Sequence, residues 1–272
     1  MAFDFGMVQR DIRKLRRFLQ RAPKHATPRR VHSLRTTIRR FEAAMVALAL
    51  DSNANERRLL RKLARLRKRA GKVRDLDVLV GYVAGLKMSG EQDCRVQLLE
   101  YLGSEHDRRS QQLRSVAVKH GESLCGGLKR TSVHLEALAK DSAVGKSAPG
   151  HAMLSELRLQ RELAAPFRLT SKNLHRYRLK VKELRYMLEM EHDPTDREMI
   201  ETLGRVKDAI GEWHDWEQLL KIARENLQPA TQCKLIPLLQ KTTQQKLKRA
   251  IAVVNAGRKQ IRPSPAESDD KG

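Results

Sequence analysis

Two stretches of this chain repeat one pattern. Val31-His32-Ser33-Leu34-Arg35-Thr36-Thr37-Ile38-Arg39 lies beside Leu174-His175-Arg176-Tyr177-Arg178-Leu179-Lys180-Val181-Lys182, each with an apolar residue, a histidine, and then a base three and seven positions later. Farther on, Gly71-Lys72-Val73-Arg74-Asp75-Leu76-Asp77 answers Gly211-Glu212-Trp213-His214-Asp215-Trp216-Glu217, with 39 residues from His32 to Gly71 and 36 from His175 to Gly211. A third echo pairs Cys94-Arg95-Val96 with Cys233-Lys234-Leu235, each opening a long amphipathic stretch. Landmarks repeated in one order require both halves to adopt the same supersecondary unit. The expected organisation is a first helical-bundle repeat at 4–120, a connecting segment at 121–150, a second repeat at 151–258, and a disordered tail at 259–272.

The unit itself is helical. Apolar residues recur at spacings of three and four, as in Ile12, Leu15 and Leu19, or Leu59, Leu63, Leu66 and Ala70. Strict alternation is missing, so no sheet is expected. Breakers at Ala22-Pro23, Pro28, Asp51 to Asn55, Gly71, Ser89-Gly90, Gly121, Gly126-Gly127, Ser147 to Gly150, Pro194, Gly211 and Pro229 predict about eleven helices. The predicted fold class is all-α: two antiparallel bundles of four to five helices, related by a pseudo-twofold axis.

Composition narrows the function. Lys and Arg number 55 against 32 Asp and Glu, a formal net charge of +23, which calls for a polyanionic partner. The excess is uneven: residues 1–140 hold 31 bases and 14 acids, residues 141–272 hold 24 and 18. The longest apolar run, Ala43 to Leu50, is eight residues, well short of the ~20 that span a membrane. The N-terminus reaches charge at Asp4 and carries no apolar leader, which predicts a cytoplasmic protein. Three cysteines without a C-x-x-C pair predict reduced thiols rather than a disulfide or zinc framework.

The repeated motifs also carry a family resemblance. The chain resembles the CHAD family, the conserved histidine alpha-helical domain. In the first copy the resemblance rests on His32-x-x-Arg35-x-x-x-Arg39-Arg40 with Arg74-Asp75-Leu76-Asp77. In the second it rests on His175-x-x-Arg178-x-x-x-Lys182-x-x-Arg185-Tyr186, with Gly211 and His214-Asp215. It covers about residues 4 to 258 and implies a helical fold with internal twofold symmetry that binds inorganic polyphosphate through a basic central cavity. It also implies an association with polyphosphate granules, seen for some relatives.

On a helix, positions i, i+3 and i+7 share a face, so His32, Arg35 and Arg39 form one basic stripe and His175, Arg178, Lys182 and Arg185 another. Like charges so spaced repel unless an anion lies along them. Arginine's planar fork suits phosphate oxygens. A solvated outer face is the plainer reading of such a stripe, and its recurrence in both copies argues against it. His32 and His175 are read as adjustable phosphate donors, since neither stripe sets a carboxylate beside its histidine as a metal site would need. A further row, Arg58, Arg61, Arg65, Lys68 and Lys72, is expected to extend the site through its first three members. Between Arg57 and Arg74 there are ten bases and no acid, whereas the second copy has Glu198, Glu201, Arg205, Asp208 and Glu212 opposite that row. Arg74, Asp75, His214 and Asp215 are given structural or orienting roles, either capping a short helix after a glycine turn or holding a stripe residue in place.

No catalytic residue, metal or cofactor is expected. His214-Asp215 resembles part of a metal phosphohydrolase pattern, but every later aspartate, Asp269 and Asp270, falls in the tail. Gly145-Lys146-Ser147 lacks the glycine a P-loop needs five positions before Gly145, where Lys140 stands. The competing reading is a nucleic-acid-binding protein. A charge of +23 ensures non-specific binding at low salt. Single-strand recognition favours aromatic platforms, and the chain has eleven aromatics. The reading adopted is non-enzymatic binding of inorganic polyphosphate through a basic cavity between two helical bundles.

Overall fold

A computed structural model describes residues 5–21, 27–86, 92–140, 149–191, 194–227 and 233–261. The apolar stripes become eight α-helices: α1 Phe5–Gln20, α2 Pro28–Ala47, α3 Ala54–Gly85, α4 Gln92–Lys140, α5 Pro149–Ala164, α6 Ser171–Glu191, α7 Arg197–Asn226 and α8 Leu235–Gln260, with no strand among the described residues. Single 3₁₀ turns at Leu50–Ser52 and Pro194–Asp196 precede α3 and α7.

The expected count of about eleven is corrected to eight among the described residues, because several glycines do not break helices. Gly71 lies within α3, Gly121, Gly126 and Gly127 within α4, and Gly211 within α7. A helix-interior glycine costs about 1 kcal/mol relative to alanine. Ending α3 there would cost more, since Leu66, Ala70, Val73 and Leu76 are all buried on one continuous stripe. Asp75 and Asp215 are therefore mid-helix residues and cap nothing. Where helices do begin, local chemistry marks the place. Thr27 Oγ1 accepts from the Arg30 N–H at 3.4 Å ahead of Pro28 in the first turn of α2, and Asn53 Oδ1 accepts from Asn55 N–H at 3.3 Å at the start of α3. Ala22-Pro23, Ser89-Gly90, Ser147, Pro229 and the tail beyond Ile261 lie outside the described residues.

The described residues form two compact units, one holding 5–140 and 217–240, the other 149–216 and 241–261. Helices α7 and α8 each contribute to both. In the first unit, α1 to α4 close around Ile12, Leu15, Ile38, Phe41, Leu63, Leu66, Leu113, Leu124 and Leu135. Residues 121–140 thus continue α4 and supply core side chains. Buried carboxylates fasten this bundle. Asp11 on α1 accepts from Arg40 Nε and Nη2 on α2 at 2.9 and 2.7 Å. Glu56 and Asp77 on α3 meet His134 and His106 on antiparallel α4 at 3.2 and 3.1 Å, one pair toward each end of the contact.

In the second unit, α5, α6 and the adjoining parts of α7 and α8 bury Leu163, Tyr177, Val181, Leu184, Val206, Trp213 and Val254. Tyr177 O–H donates to the Leu163 carbonyl at 3.1 Å. The Arg258 guanidinium stacks 4.4 Å from the Phe167 ring centre and 5.3 Å from that of Tyr177, and donates to the Phe167 carbonyl at 3.0 Å. All three cysteines are free thiols, each part-buried, and burial pushes the Cys125 thiol up.

Candidate anion-binding site

Helix α2 carries Arg35 and Arg39 one turn apart, and α3 runs beside it with Arg65, Arg67 and Lys68. Between the two helices lies a pocket of about 430 Å³ lined by these five cations together with Ala64 and Gly71. No carboxylate lines it. Its floor is kept open by the two small residues, which stand seven apart on α3 and so on one face. A Cβ built on Gly71 would meet nothing within 4 Å.

Two acids hold the walls apart. Glu42, one turn beyond Arg39 on α2, lies 2.8 and 3.1 Å from Arg67 Nε through its two oxygens. Burial raises the Glu42 pKa, and the charges of Arg67 and then Arg39 oppose that rise. Asp75 lies 3.5 Å from Arg35 Nη1 and is largely exposed, so it orients this arginine from the solvent side. Of the two roles open to Asp75, orientation is the one its position allows.

The remaining first-copy residues are placed differently. His32 is exposed on α2, one turn before Arg35. Arg58 and Arg61 are exposed on α3 and continue its basic face away from the pocket without lining it. Arg74 Nη1 lies 3.9 Å from Asp77. Arg40 is a correction: although adjacent to Arg39, it is turned about 100° around α2 and both of its bonds go to Asp11. It clamps α2 to α1.

In the second unit the same motif packs more closely. The Arg178 guanidinium lies flat against α7 at Gly211, so near that a Cβ there would sit 2.6 Å from Nη2 and 3.2 Å from Cζ. Arg185 covers Gly204, where a Cβ would come within 3.7 Å of Nη1, and its Nη2 pairs with Glu189 at 2.6 Å. Lys182 is half-buried between them in sequence. The rings of His175 and His214 approach to 5.2 Å between centres. Asp215 is half-buried on the interior of α7. Of the acids that replace the basic row, Glu212 ties α7 to α8, bridging Lys246 at 2.6 Å and Arg249 at 3.5 Å.

Sequence reasoning missed Arg67, Glu42 and the two floor residues. A signal for the floor was present, since Ala64 and Gly71 have the same seven-residue spacing as Gly204 and Gly211. Among the described residues, no three of His, Cys, Asp or Glu converge as metal ligands.

The model of the CHAD domain family matches residues 6–257, nearly the whole chain. The chain belongs to the CHAD family. The crystal structure of the CHAD domain from the plant Ricinus communis is similar to it, with a TM-score of 0.61 over 95% of this chain and 91% of that one, at 18% identity. At that identity the likeness speaks for the fold, and it agrees with the all-helical architecture. None of the curated proteins compared with the chain matches it. Among the described residues of this CHAD domain, no helix is long and apolar enough to cross a membrane. The motif that gives the family its resemblance is thus built here in two forms, an open basic pocket on α2 and α3 and a closed arginine-on-glycine contact on α6 and α7.

Proposed function

We propose that this CHAD protein binds inorganic polyphosphate without transforming it, and that the pocket between α2 and α3 is its principal hold. The observation that carries this reading is the lining itself: five cationic side chains and no carboxylate. Such a group is self-repelling when empty and is relieved by a ligand bearing one negative charge per repeating unit. Four of the five are arginines, two of them, Arg35 and Arg67, oriented by Asp75 and Glu42, and their forks match the paired oxygens of a phosphoryl group. Arg35 and Arg39 grip from α2, Arg65 and Lys68 from α3, and Glu42 keeps Arg67 turned along the wall. His175, Arg178, Lys182 and Arg185 form a second row of contacts on the other copy. The proposal includes a cytoplasmic protein found at polyphosphate granules, which imaging of a tagged chain against a polyphosphate stain would test.

Nucleic acid is the rival, and its support is the net charge of +23. Affinities for long-chain polyphosphate, duplex DNA and RNA at about 0.15 M salt separate the two. Polyphosphate is expected to bind tightest and to displace both nucleic acids. Displacement in the reverse order would make the chain a nucleic-acid binder. Incubation with polyphosphate or nucleoside triphosphates and divalent metal is expected to release no phosphate. Turnover lost in Asp215→Ala would make it an enzyme.

A further inference from the structure

Beside the pocket, on the flank of α3 that faces α4, lies a second group of cations. Arg69 Nη1 on α3 donates to Gln112 Oε1 on α4 at 2.7 Å, and Arg109 Nη1 approaches the same oxygen at 3.5 Å. Two guanidiniums therefore converge on one neutral acceptor, which cancels none of their charge. The acid at hand is Glu105, and it is shared: Arg108 donates to both of its oxygens at 2.8 Å and Arg109 Nη2 lies 3.3 Å away. Asp107 is turned toward His106, at 3.6 Å. Lys72, exposed on the next turn of α3, has no acidic partner among the described residues. Its ammonium pKa is lowered, chiefly by the charge of Arg109, then by its surroundings and by Arg69, Lys68 and Arg108.

We propose that this α3/α4 flank, built of Arg69, Lys72, Arg108 and Arg109, is a second anion-binding surface that holds the portion of a long polyphosphate chain emerging from the pocket. The inference rests on the polyphosphate reading above and adds a path to it. Lys68 is the joint: it lines the pocket, and Lys72 follows one turn later, about 40° further around the helix. Arg69 stands about 100° from Lys68, toward α4. A ligand that touches both groups must bend around a single helix about 10–12 Å across. Duplex DNA, with a persistence length of about 50 nm, does not follow such a curve without large bending cost. A polyphosphate chain, free to rotate at each P–O bond and charged at every unit, does. The flank therefore discriminates by length. A short oligomer is satisfied within the pocket, and only a long one reaches Arg109.

The test compares tripolyphosphate with long-chain polyphosphate on the full chain, at fixed and at varied salt. Lys72→Glu with Arg109→Glu is expected to weaken long-chain binding about tenfold, to lower its salt dependence by about two released counterions, and to leave tripolyphosphate unchanged. The milder Arg69→Gln with Arg109→Gln is expected to act the same way to a smaller degree, which guards against a reversal that disturbs folding. The charge-matched control reverses Lys241 and Lys248 on α8, both exposed. If long and short chains lose affinity equally, if neither loses any, or if the control acts as strongly, the second surface does not exist. Failure of the polyphosphate reading looks different: tripolyphosphate and long chains both fail to bind wild-type protein, or binding ignores Arg35→Glu with Arg39→Glu.

Discussion

Around Gly71 the arginines of α2 stand clear of the glycine and leave a pocket; around Gly211 Arg178 lies down on the glycine and fills the corresponding space. The motif is shared, so the difference comes from what flanks each glycine. Gly71 has Lys68 three residues before it and Lys72 one after, which repel an approaching guanidinium. Gly211 has Asp208 and Glu212 in those places, which favour one. Asp75 and Glu42 then draw Arg35 and Arg67 aside in the first unit. A repeated motif thus fixes helix pairing in both copies, while the charge of a few neighbours decides whether the pairing leaves room for a ligand.

The sharpest test of that contrast is to reverse each basic row. Read from sequence alone, the two rows count equally. The geometry predicts otherwise: Arg35→Glu with Arg39→Glu should weaken polyphosphate binding about a hundredfold or more, each lost charge-assisted contact being worth roughly 1.5–3 kcal/mol. Arg178→Glu with Lys182→Glu should cost far less, since Arg178 is already packed against α7. Equal losses, measured by titration calorimetry, would erase the distinction. Next in size is Arg40→Ala. It strands the buried Asp11 carboxylate and should lower stability by about 2 kcal/mol in denaturant melts, below the full cost of breaking a buried pair because Arg40 itself is partly exposed. Polyphosphate affinity should hold. A matching loss of affinity would return Arg40 to the binding row.

Smaller effects separate the two glycines. Gly71→Ala meets no neighbour, so it should gain up to about 1 kcal/mol of helix stability while its methyl group weakens ligand binding a few-fold. Gly211→Ala must push Arg178 off α7, which should offset that gain. If the two variants melt alike, the close contact at Gly211 carries no weight. The smallest effect is a pH slope. Burial raises the Asp77 pKa, and His106 and Arg74 oppose that only in part. Between the ordinary carboxylate value and the raised one, the folded chain holds more protons than the unfolded chain, so the stability from this group falls as pH rises. Asp77→Asn removes that fall. The Tm of the variant minus that of wild type should therefore increase as pH climbs above the ordinary aspartate value of about 4, and a flat difference would show that the group titrates normally.

Much of the fold was legible because it is written in long-range regularities. The three-and-four spacing of Leu59, Leu63, Leu66 and Ala70 identified the helix and its buried face together. Helix ends were less legible: a glycine is a local signal, and at Gly71 and Gly211 the apolar stripe on both sides outweighs it. The stripe arithmetic placed Arg35 and Arg39 on one face correctly and had no way to place Arg40, whose partner Asp11 lies 29 residues away on another helix. Glu42 was invisible as the partner that orients Arg67 for the same reason, since Arg67 becomes its neighbour only when α3 turns back along α2. What a side chain does across an interface depends on pairings that sequence spacing within one helix does not encode.

Helix α4 carries a consequence for how such a chain can change over generations. It is 49 residues long, about 74 Å at 1.5 Å per residue. Its buried residues Leu98, Leu102, Leu113, Ala117, Leu124, Leu128 and Leu135 fall within one sector about 120° wide. A single residue gained between Leu102 and Leu113 would rotate everything beyond it by about 100°, turning the later leucines toward water. Seven residues gained together would leave a mismatch of only about 20°. Lineages descended from this sequence should therefore vary freely in length between helices, yet lengthen or shorten α4 only in steps of about two turns.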